Sequence, residues 1–514
     1  MNGKAFTRKS NLAALIAMSV FAIVALLLVS WDSYLYDLWQ HHDVIWFYMC
    51  GKAWMNGMTP YVDFADSKGP LLWLIYGAGY LISPHDYTGM YWLSCALYTF
   101  IFYQCYKCAR LYVRDVRLAL MAVLLSAVFF LSGLTHIEVR AEDYCYALML
   151  PIFYRFLRYH VNKEHSARFI KQSALILGAA LGLTLIIKYS CTLMLAMFIP
   201  YFCIVLPRRH GYSAWRALGW CALAGVLSLL PMAAWMLLHG WLDDFVREYF
   251  LNTFTTFDNL HGQQITVASV LNMFLGRRVI LFTIGIIAGV ILYCRIVKSG
   301  WQFALLLLVW FMGVILLNGT DRIYLNVLAI FTVLFAGIIV QMMSRWLRWW
   351  SIDVLLAVAV LVGLFFLTER KSLFSEKLID REIWYYYPTL MSEMESPRLL
   401  YLMCHDHGES VPVHGLPACK YWSLQEGHSQ AMIEDQISAV KNHRCDVAFV
   451  ESDNNEMIRL LENEGYHRND FADVIAFDKN AKRFLMYSDR ELQATRSKYP
   501  SPREVLLKRN MFNR

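Results

Sequence analysis

Apolar runs of roughly 17–25 residues recur between residues 12 and 367, broken by short polar stretches. Each is long enough to cross a hydrocarbon core about 30 Å thick. The pattern predicts eleven membrane-spanning helices, over 12–30, 88–108, 117–134, 141–159, 170–187, 190–206, 217–238, 279–297, 301–317, 323–343 and 349–367. Two connections are long, 31–87 and 239–278. Within the first, the apolar stretch 70–83 is too short to span and reads as a helix lying on the membrane surface. Beyond residue 371 the periodicity changes. Segments 398–404 and 445–451 read as buried strands, 429–442 and 454–464 as amphipathic helices, and 473–477 and 483–487 as further strands. Strands alternating with helices suggest a small α/β domain. The fold class expected is therefore a polytopic α-helical membrane domain over 1–371 followed by a soluble domain over 372–514.

Composition agrees with this division. Of the 514 residues, 58% are hydrophobic and 17% charged, against about a quarter charged in soluble domains. That excludes a soluble enzyme, a disordered chain and a nucleic-acid module. The net charge of +7 does not point to nucleic acid, because membrane proteins concentrate basic residues in cytoplasmic loops. With the N-terminus inside, the inner loops and span ends hold 19 basic residues and three acidic ones. The outer loops and span ends up to Arg322 hold 14 acidic and 8 basic residues. The positive-inside rule then makes both long loops extracytoplasmic, and an odd span count puts the C-terminal domain outside as well. The first run follows Lys4, Arg8 and Lys9 and lacks a small-x-small cleavage site, so it reads as a signal-anchor. The twelve cysteines are scattered. The single CxxC, Cys105 to Cys108, has no second pair or histidine cluster to complete a zinc spacing.

Four places carry candidate chemistry. Asp43 follows the first span, where a carboxylate can serve as general base toward a hydroxyl or amine; the bland alternative is a solvated loop acid like Asp32 or Asp37. Lys68 precedes Gly69-Pro70 at the start of the surface helix, where backbone N–H groups favour an anion; a lysine snorkelling to the headgroups is the alternative. Arg140, Glu142 and Asp143 crowd the loop that opens the fourth span, and ionisable groups near membrane depth tend to be functional; acids favouring a helix dipole are the alternative. Lys188, Arg277, Arg278 and Arg322, with Lys52 and Arg247, place cations on the acidic side. An anion held between spans would compensate for them, as would ion pairs with neighbouring acids.

Taken in order, these segments resemble the GT-C class of membrane glycosyltransferases, most of all the bacterial branch grouped with protein mannosyltransferases and the lipid A aminoarabinose transferase. The resemblance rests on Asp43 after the first span and on Gly57-Met58-Thr59-Pro60-Tyr61-Val62-Asp63. It continues through Lys68-Gly69-Pro70-Leu71, the acidic pair Glu142-Asp143, Lys188 in the middle spans, and Arg322-Ile323-Tyr324 late in the membrane region. The chain departs from the pattern at Ser67, where the family often has an acid before the lysine; here Asp66 stands one place earlier. Asn326 stands near the place where the family often has a histidine.

The resemblance implies a multi-pass inner-membrane enzyme that moves a sugar from a polyprenyl-phosphate donor to an extracytoplasmic glycan, lipid or protein with inversion. Asp43 would be the base, with Glu142 and Asp143 as further catalytic carboxylates. Tyr61, Asp63, Asp66, Lys68, Arg140, Lys188, Arg277, Arg278, Arg322 and Tyr324 would line the substrate site. No cofactor and no resident metal is called for, with a divalent ion left open. The rival readings are a flippase or transporter of lipid-linked sugar and an O-antigen-type polymerase or ligase.

Overall fold

The computed structural model describes residues 8–30, 32–33, 42–84, 87–130, 139–252, 283–284, 287–291, 330–346, 358, 360, 397–406, 410–411, 415–424, 430–451, 454–468 and 483–487. They fall into two compact units. The first takes in Met1–Ser33, Tyr91–Trp235 and Gln264–Arg370, and the second Tyr34–Met90, Met236–Gln263 and Lys371–Arg514.

The helices, in chain order, are α1 (Arg8–Val29), α2 (His42–Met55), α3 (Pro70–Ile82), α4 (Thr88–Tyr112), α5 (Val116–Phe130), α6 (Ala141–Asn162), α7 (Ala167–Leu185) and α8 (Tyr189–Ala196). A π-helical turn, Pro200–Val205, and α9 (Leu206–Arg209) continue α8; then come α10 (Ala214–His239), α11 (Leu242–Phe245), a second π-helical stretch, Val246–Asn252, and α12 (Ile330–Trp346). Helices occupy the described parts of the spans expected over 12–30, 88–108, 117–134, 141–159, 170–187, 190–206, 217–238 and 323–343. The span expected over 301–317 lies outside the described residues, as do most of 279–297 and 349–367. Among the described residues, four helical stretches are long and apolar enough to cross a membrane: Asn11–Val29, Ala167–Leu185, Tyr189–Arg209 and Ala214–His239.

The first unit is a helix bundle. On α1, Leu12, Ile16, Val20 and Val24 recur every fourth residue and are all exposed, an apolar stripe that suits hydrocarbon rather than water. The opposite face of α1 buries Ala14, Met18, Ala22 and Ala25. Tyr91 of α4 donates to the Ile23 carbonyl at 2.9 Å. Helices α7 and α10 meet at Gly178, where a Cβ would stand 1.9 Å from the Cys221 carbonyl oxygen. Small residues that admit such close approach drive helix association in membranes. The described cysteines are all buried and free.

In the second unit, α2 packs on α3. A Cβ on Gly51 would lie 2.4 Å from the Gly77 nitrogen, so only glycine permits this separation. Pro70 fills the first turn of α3, where its missing N–H costs nothing. A helix thus occupies the apolar stretch 70–83, ending at Ile82, while α2 is an addition the sequence pattern did not indicate. The C-terminal portion forms a five-stranded sheet of β1 (Arg398–Leu402), β2 (Leu416–Pro417), β3 (Val447–Glu451), β4 (His467–Arg468) and β5 (Arg483–Tyr487), in the order β2-β1-β3-β5-β4. Strands β2, β1 and β3 run parallel, with Leu399 opposite Val447 and Leu402 opposite Val450; β5 is antiparallel to β3. Both β1 and β3 are almost wholly buried, as expected of parallel strands covered on both faces. Among the described residues two helices accompany the sheet, α13 (Gln430–Lys441) and α14 (Asn455–Asn463). The Asn454 side chain caps α14 by accepting from the Met457 N–H. The strand expected over 473–477 lies outside the described residues.

Candidate functional site

The second unit gathers Asp43, Tyr61, Asp63, Asp66 and Lys68 on α2 and the loop that leads to α3. Asp43 sits in the first turn of α2, where the helix dipole favours a carboxylate. The loop begins by reversing direction. Asp63 Oδ2 accepts from the Thr59 N–H at 2.7 Å, and the Asp63 N–H donates to the Thr59 carbonyl at 2.9 Å. Tyr61 takes a left-handed φ of 63°, unusual for a residue with a Cβ. Its surroundings hold it there. Its ring lies 4.6 Å from that of Trp73, 5.9 Å from that of Trp241 and 5.3 Å from that of Phe245. Its hydroxyl donates to the Lys68 carbonyl at 2.8 Å. These polar atoms of Tyr61 and Asp63 therefore shape the loop that presents Asp66 and Lys68.

Asp66 is half-buried, but its Oδ2 is sealed from solvent and accepts no hydrogen bond. Oδ1 accepts from the Ser67 N–H at 2.6 Å and from the Ser67 hydroxyl at 3.2 Å. Burial pushes the Asp66 carboxyl above the ordinary carboxylate range; the Lys68 ammonium opposes that shift, and the Asp43 charge adds to it. Lys68 Nζ donates to Ser67 Oγ at 3.1 Å and stands 5.6 Å from the centroid of the Phe47 ring. Phe47 follows Asp43 by four residues, one turn along α2. Asp43, Asp66 and Lys68 thus share one locality: an acid at a helix start, a half-buried acid in the loop, and a cation at the next helix start. Such a group can hold an anion against Lys68 and take a proton at a carboxylate.

The first unit gathers Arg140, Glu142, Asp143 and Lys188. Arg140 precedes α6, and its N–H donates to Asp143 Oδ2 at 2.9 Å, so this acid caps its own helix. Tyr98 donates to Asp143 Oδ1 at 3.4 Å. Lys188, at the start of α8, forms an ion pair with Glu142. Arg140, Glu142 and Asp143 are all buried. Glu142 and Asp143 stand in the first turn of α6, where the helix dipole favours acids, and Lys188 is paired with a neighbouring acid. The Glu142 and Asp143 carboxylates are held by these partners, which is the usual condition for burying a charge. Arg277, Arg278, Arg322 and Tyr324 lie outside the described residues.

Several further charged residues have surroundings that the sequence does not show. Asp32, which reads as a solvated loop acid, is instead buried and accepts from the Ser94 hydroxyl at 3.3 Å. Lys52 is buried on α2, donates to the Ser410 carbonyl at 3.0 Å and has its ammonium pKa lowered to about 7 by burial, with Asp406 opposing the shift. Glu248 is buried in the second π-helical stretch and pairs with Lys420 at 2.5 Å. Arg247 is exposed, 4.0 Å from Asp244. Among the described residues no group of three or more His, Cys, Asp or Glu is placed to hold a metal ion.

No protein-family model matches the chain, and no curated protein matches it by sequence. Solved structures match it by fold. ArnT from Cupriavidus metallidurans in the apo state aligns with a TM-score of 0.60 at 12% identity, over 92% of this chain and 97% of that one. The same protein bound to undecaprenyl phosphate aligns with a TM-score of 0.57, again at 12% identity, over 92% and 97%. The Archaeoglobus fulgidus oligosaccharyltransferase tethered with an acceptor peptide aligns at 0.49 and 13% identity, over 94% of this chain and 74% of that one. The chain has the fold of the GT-C class of membrane glycosyltransferases.

Proposed function

We propose that this protein is an integral-membrane glycosyltransferase of the cell inner membrane. It takes a sugar from a polyprenyl-phosphate donor and transfers it to a glycan, lipid or protein outside the cytoplasm. The observation that carries this reading is the grouping of Lys68 with two carboxylates, Asp43 and Asp66, at the starts of α2 and α3. A fold neighbour that binds undecaprenyl phosphate supports the donor class.

In the reaction, the acceptor oxygen or nitrogen attacks the sugar C1 from the face opposite the phosphate. The C1–O bond to phosphate breaks, the phosphate keeps the electron pair, and the configuration inverts. The proton lost by the acceptor goes to the Asp43 carboxylate. Lys68 balances charge growing on the leaving phosphate; stabilising developing charge in a water-poor site is usually a large catalytic contribution. Asp66 serves the substrate site as the acid beside Lys68, its Oδ1 held by Ser67. Arg140, Lys188, Arg277, Arg278, Arg322 and Tyr324 serve the phosphate and sugar, and Glu142 and Asp143 supply further carboxylates. Eleven spans, a cytoplasmic N-terminus and an extracytoplasmic domain over 372–514 complete the reading, and the charge bias of the loops supports that orientation.

A transporter of lipid-linked sugar is the second reading, favoured by one observation: the Lys188–Glu142 pair buried within the helical unit. The test is a transfer assay. The purified protein in lipid nanodiscs, given a panel of polyprenyl-phosphate sugars and extracts of envelope glycans, lipids and proteins, releases free polyprenyl phosphate. Binding without release, together with movement of the donor across proteoliposome membranes, would favour the transporter.

A further inference from the structure

Residues 420–422 join the sheet to both halves of the loop site within the second unit. On the sheet side they are fixed by main-chain bonds. The Trp422 carbonyl accepts from the Tyr401 N–H of β1 at 2.7 Å. The Tyr421 carbonyl accepts from Gln436 Nε2 of α13 at 2.7 Å, and the Tyr421 N–H donates to Asp435 Oδ2 at 3.1 Å.

On the other side, Trp422 reaches α2, Lys420 reaches the loop before α3, and the side chains of Lys420 and Tyr421 reach the second π-helical stretch. The Trp422 ring stacks on that of Trp46, with centroids 4.7 Å apart and planes at 19°. Trp46 follows Asp43 by three residues, so the stack lies one turn from that carboxylate. The Lys420 carbonyl accepts from the Ala65 N–H at 3.2 Å, and Ala65 precedes Asp66. The side chains of Lys420 and Tyr421 both end on Glu248: Nζ lies 2.5 Å from Oε1, and the tyrosine hydroxyl donates to Oε2 at 2.8 Å. Asn252 Nδ2 also donates to Oε2, at 2.8 Å. Trp422 is wholly buried and Trp46 nearly so.

We infer that Trp422 and Lys420 are positioning residues. Through the Trp46 stack and the Ala65 hydrogen bond, the C-terminal region holds Asp43 and Asp66 in their reactive placement. The inference rests on the functional reading above for its catalytic consequence, but not for its structural one. Displacing a reacting group by about 1 Å can cost on the order of 10²-fold in rate. The effect should therefore appear in turnover and not in donor affinity.

The test uses the full-length protein in nanodiscs and two readouts. One is amide hydrogen exchange over residues 43–69. The other is turnover normalised to the number of sites that bind donor, which removes any misfolded fraction. In Trp422→Ala, exchange at Ala65 and the first turn of α2 should speed up. Turnover per donor-binding site should fall about tenfold or more, while donor affinity stays within about twofold. Trp422→Phe, which keeps a stacking ring, should return both readouts close to wild type. Glu248→Gln keeps an acceptor for Tyr421 but loses the charge facing Lys420; it tests the same brace if Trp422→Ala does not fold, and it should show the same pair of changes. Wild-type exchange at Ala65, or wild-type turnover per site in the loosened protein, would overturn the inference. If the wild-type protein binds donor but transfers no sugar, it is the functional reading that fails. The exchange readout then decides the brace alone.

Discussion

Lys68 Nζ stands 5.6 Å from the centre of the Phe47 ring, one turn of α2 from Asp43. The cation and the acid belong to different helix starts, brought together because α3 lies against α2 through Gly51 and Gly77. In the proposed reaction the two groups act at opposite ends of the same bond rearrangement, one on the leaving phosphate and one on the acceptor proton.

Lys68→Ala should weaken donor binding with little loss of stability. Among the described residues the side chain donates to Ser67 Oγ at 3.1 Å and faces the Phe47 ring; a solvated cation–π contact is worth about 0.5–1 kcal/mol. Affinity for a labelled polyprenyl-phosphate sugar should fall about tenfold or more, the loss of roughly one charge-assisted contact. Unchanged affinity would remove Lys68 from the donor site.

Gly51→Ala should disturb the site from a distance. Its Cβ would meet the Gly77 nitrogen at 2.4 Å and the Trp73 carbonyl at 2.7 Å, both main-chain atoms that cannot rotate away. Overpacking of this kind costs about 1–3 kcal/mol, seen as a lowered melting temperature. Gly57→Ala is the contrast: no atom lies within 4 Å of its added Cβ, and its cost comes from a φ of +87° alone.

The Lys188–Glu142 pair should show the asymmetry of a buried charge pair. Lys188→Met leaves the Glu142 carboxylate buried without its cation, and such single removals cost about 3–5 kcal/mol. Lys188→Met combined with Glu142→Gln should recover part of that loss in thermal unfolding. A double variant no more stable than the single one would show that the pair does not account for the cost.

Lys52 gives stability a pH dependence. Burial lowers its ammonium pKa to about 7, from an ordinary 10.5. Between those values the unfolded chain holds the proton and the folded one does not, so stability rises with pH. Below about 7 both states carry the charge, and the folded state bears the full cost of burying it. Relative to Lys52→Met, the wild-type melting temperature should therefore rise from pH 7 to pH 9. A constant difference across that window would mean the ammonium is not desolvated.

Much of the architecture was legible because lipid and core impose periods on sequence. The runs over 12–30 and 217–238 announce α1 and α10 by length and apolarity, and the buried strands β1 and β3 appear as the apolar runs Leu399–Leu402 and Val447–Val450. Helix α2 was hidden because Val44 to Cys50 are buried in an unbroken run; a helix covered on every side shows no amphipathic period. Of the site, Asp43, Lys68 and the acids opening α6 were visible as charges in unusual places. Their supports were not. Lys52 and Ser410 are 358 positions apart, and neither Trp422 nor Glu248 has a local pattern to mark what it touches. Asp32 misled because adjacency to a loop suggested solvent, whereas Ser94 of α4 meets it in the interior. Strands β2 and β4, two residues each, are too short to leave any period.

The most direct test of the account is the turnover of Asp43→Asn. Asparagine keeps the shape and the place at the start of α2 but cannot take the acceptor proton. With expression and donor affinity at wild-type levels, sugar transfer in nanodiscs should fall by about 10²–10⁴, the usual loss when a general base is removed. Retention of more than about a tenth of wild-type turnover, far short of that loss, would contradict the assignment of Asp43 as the base.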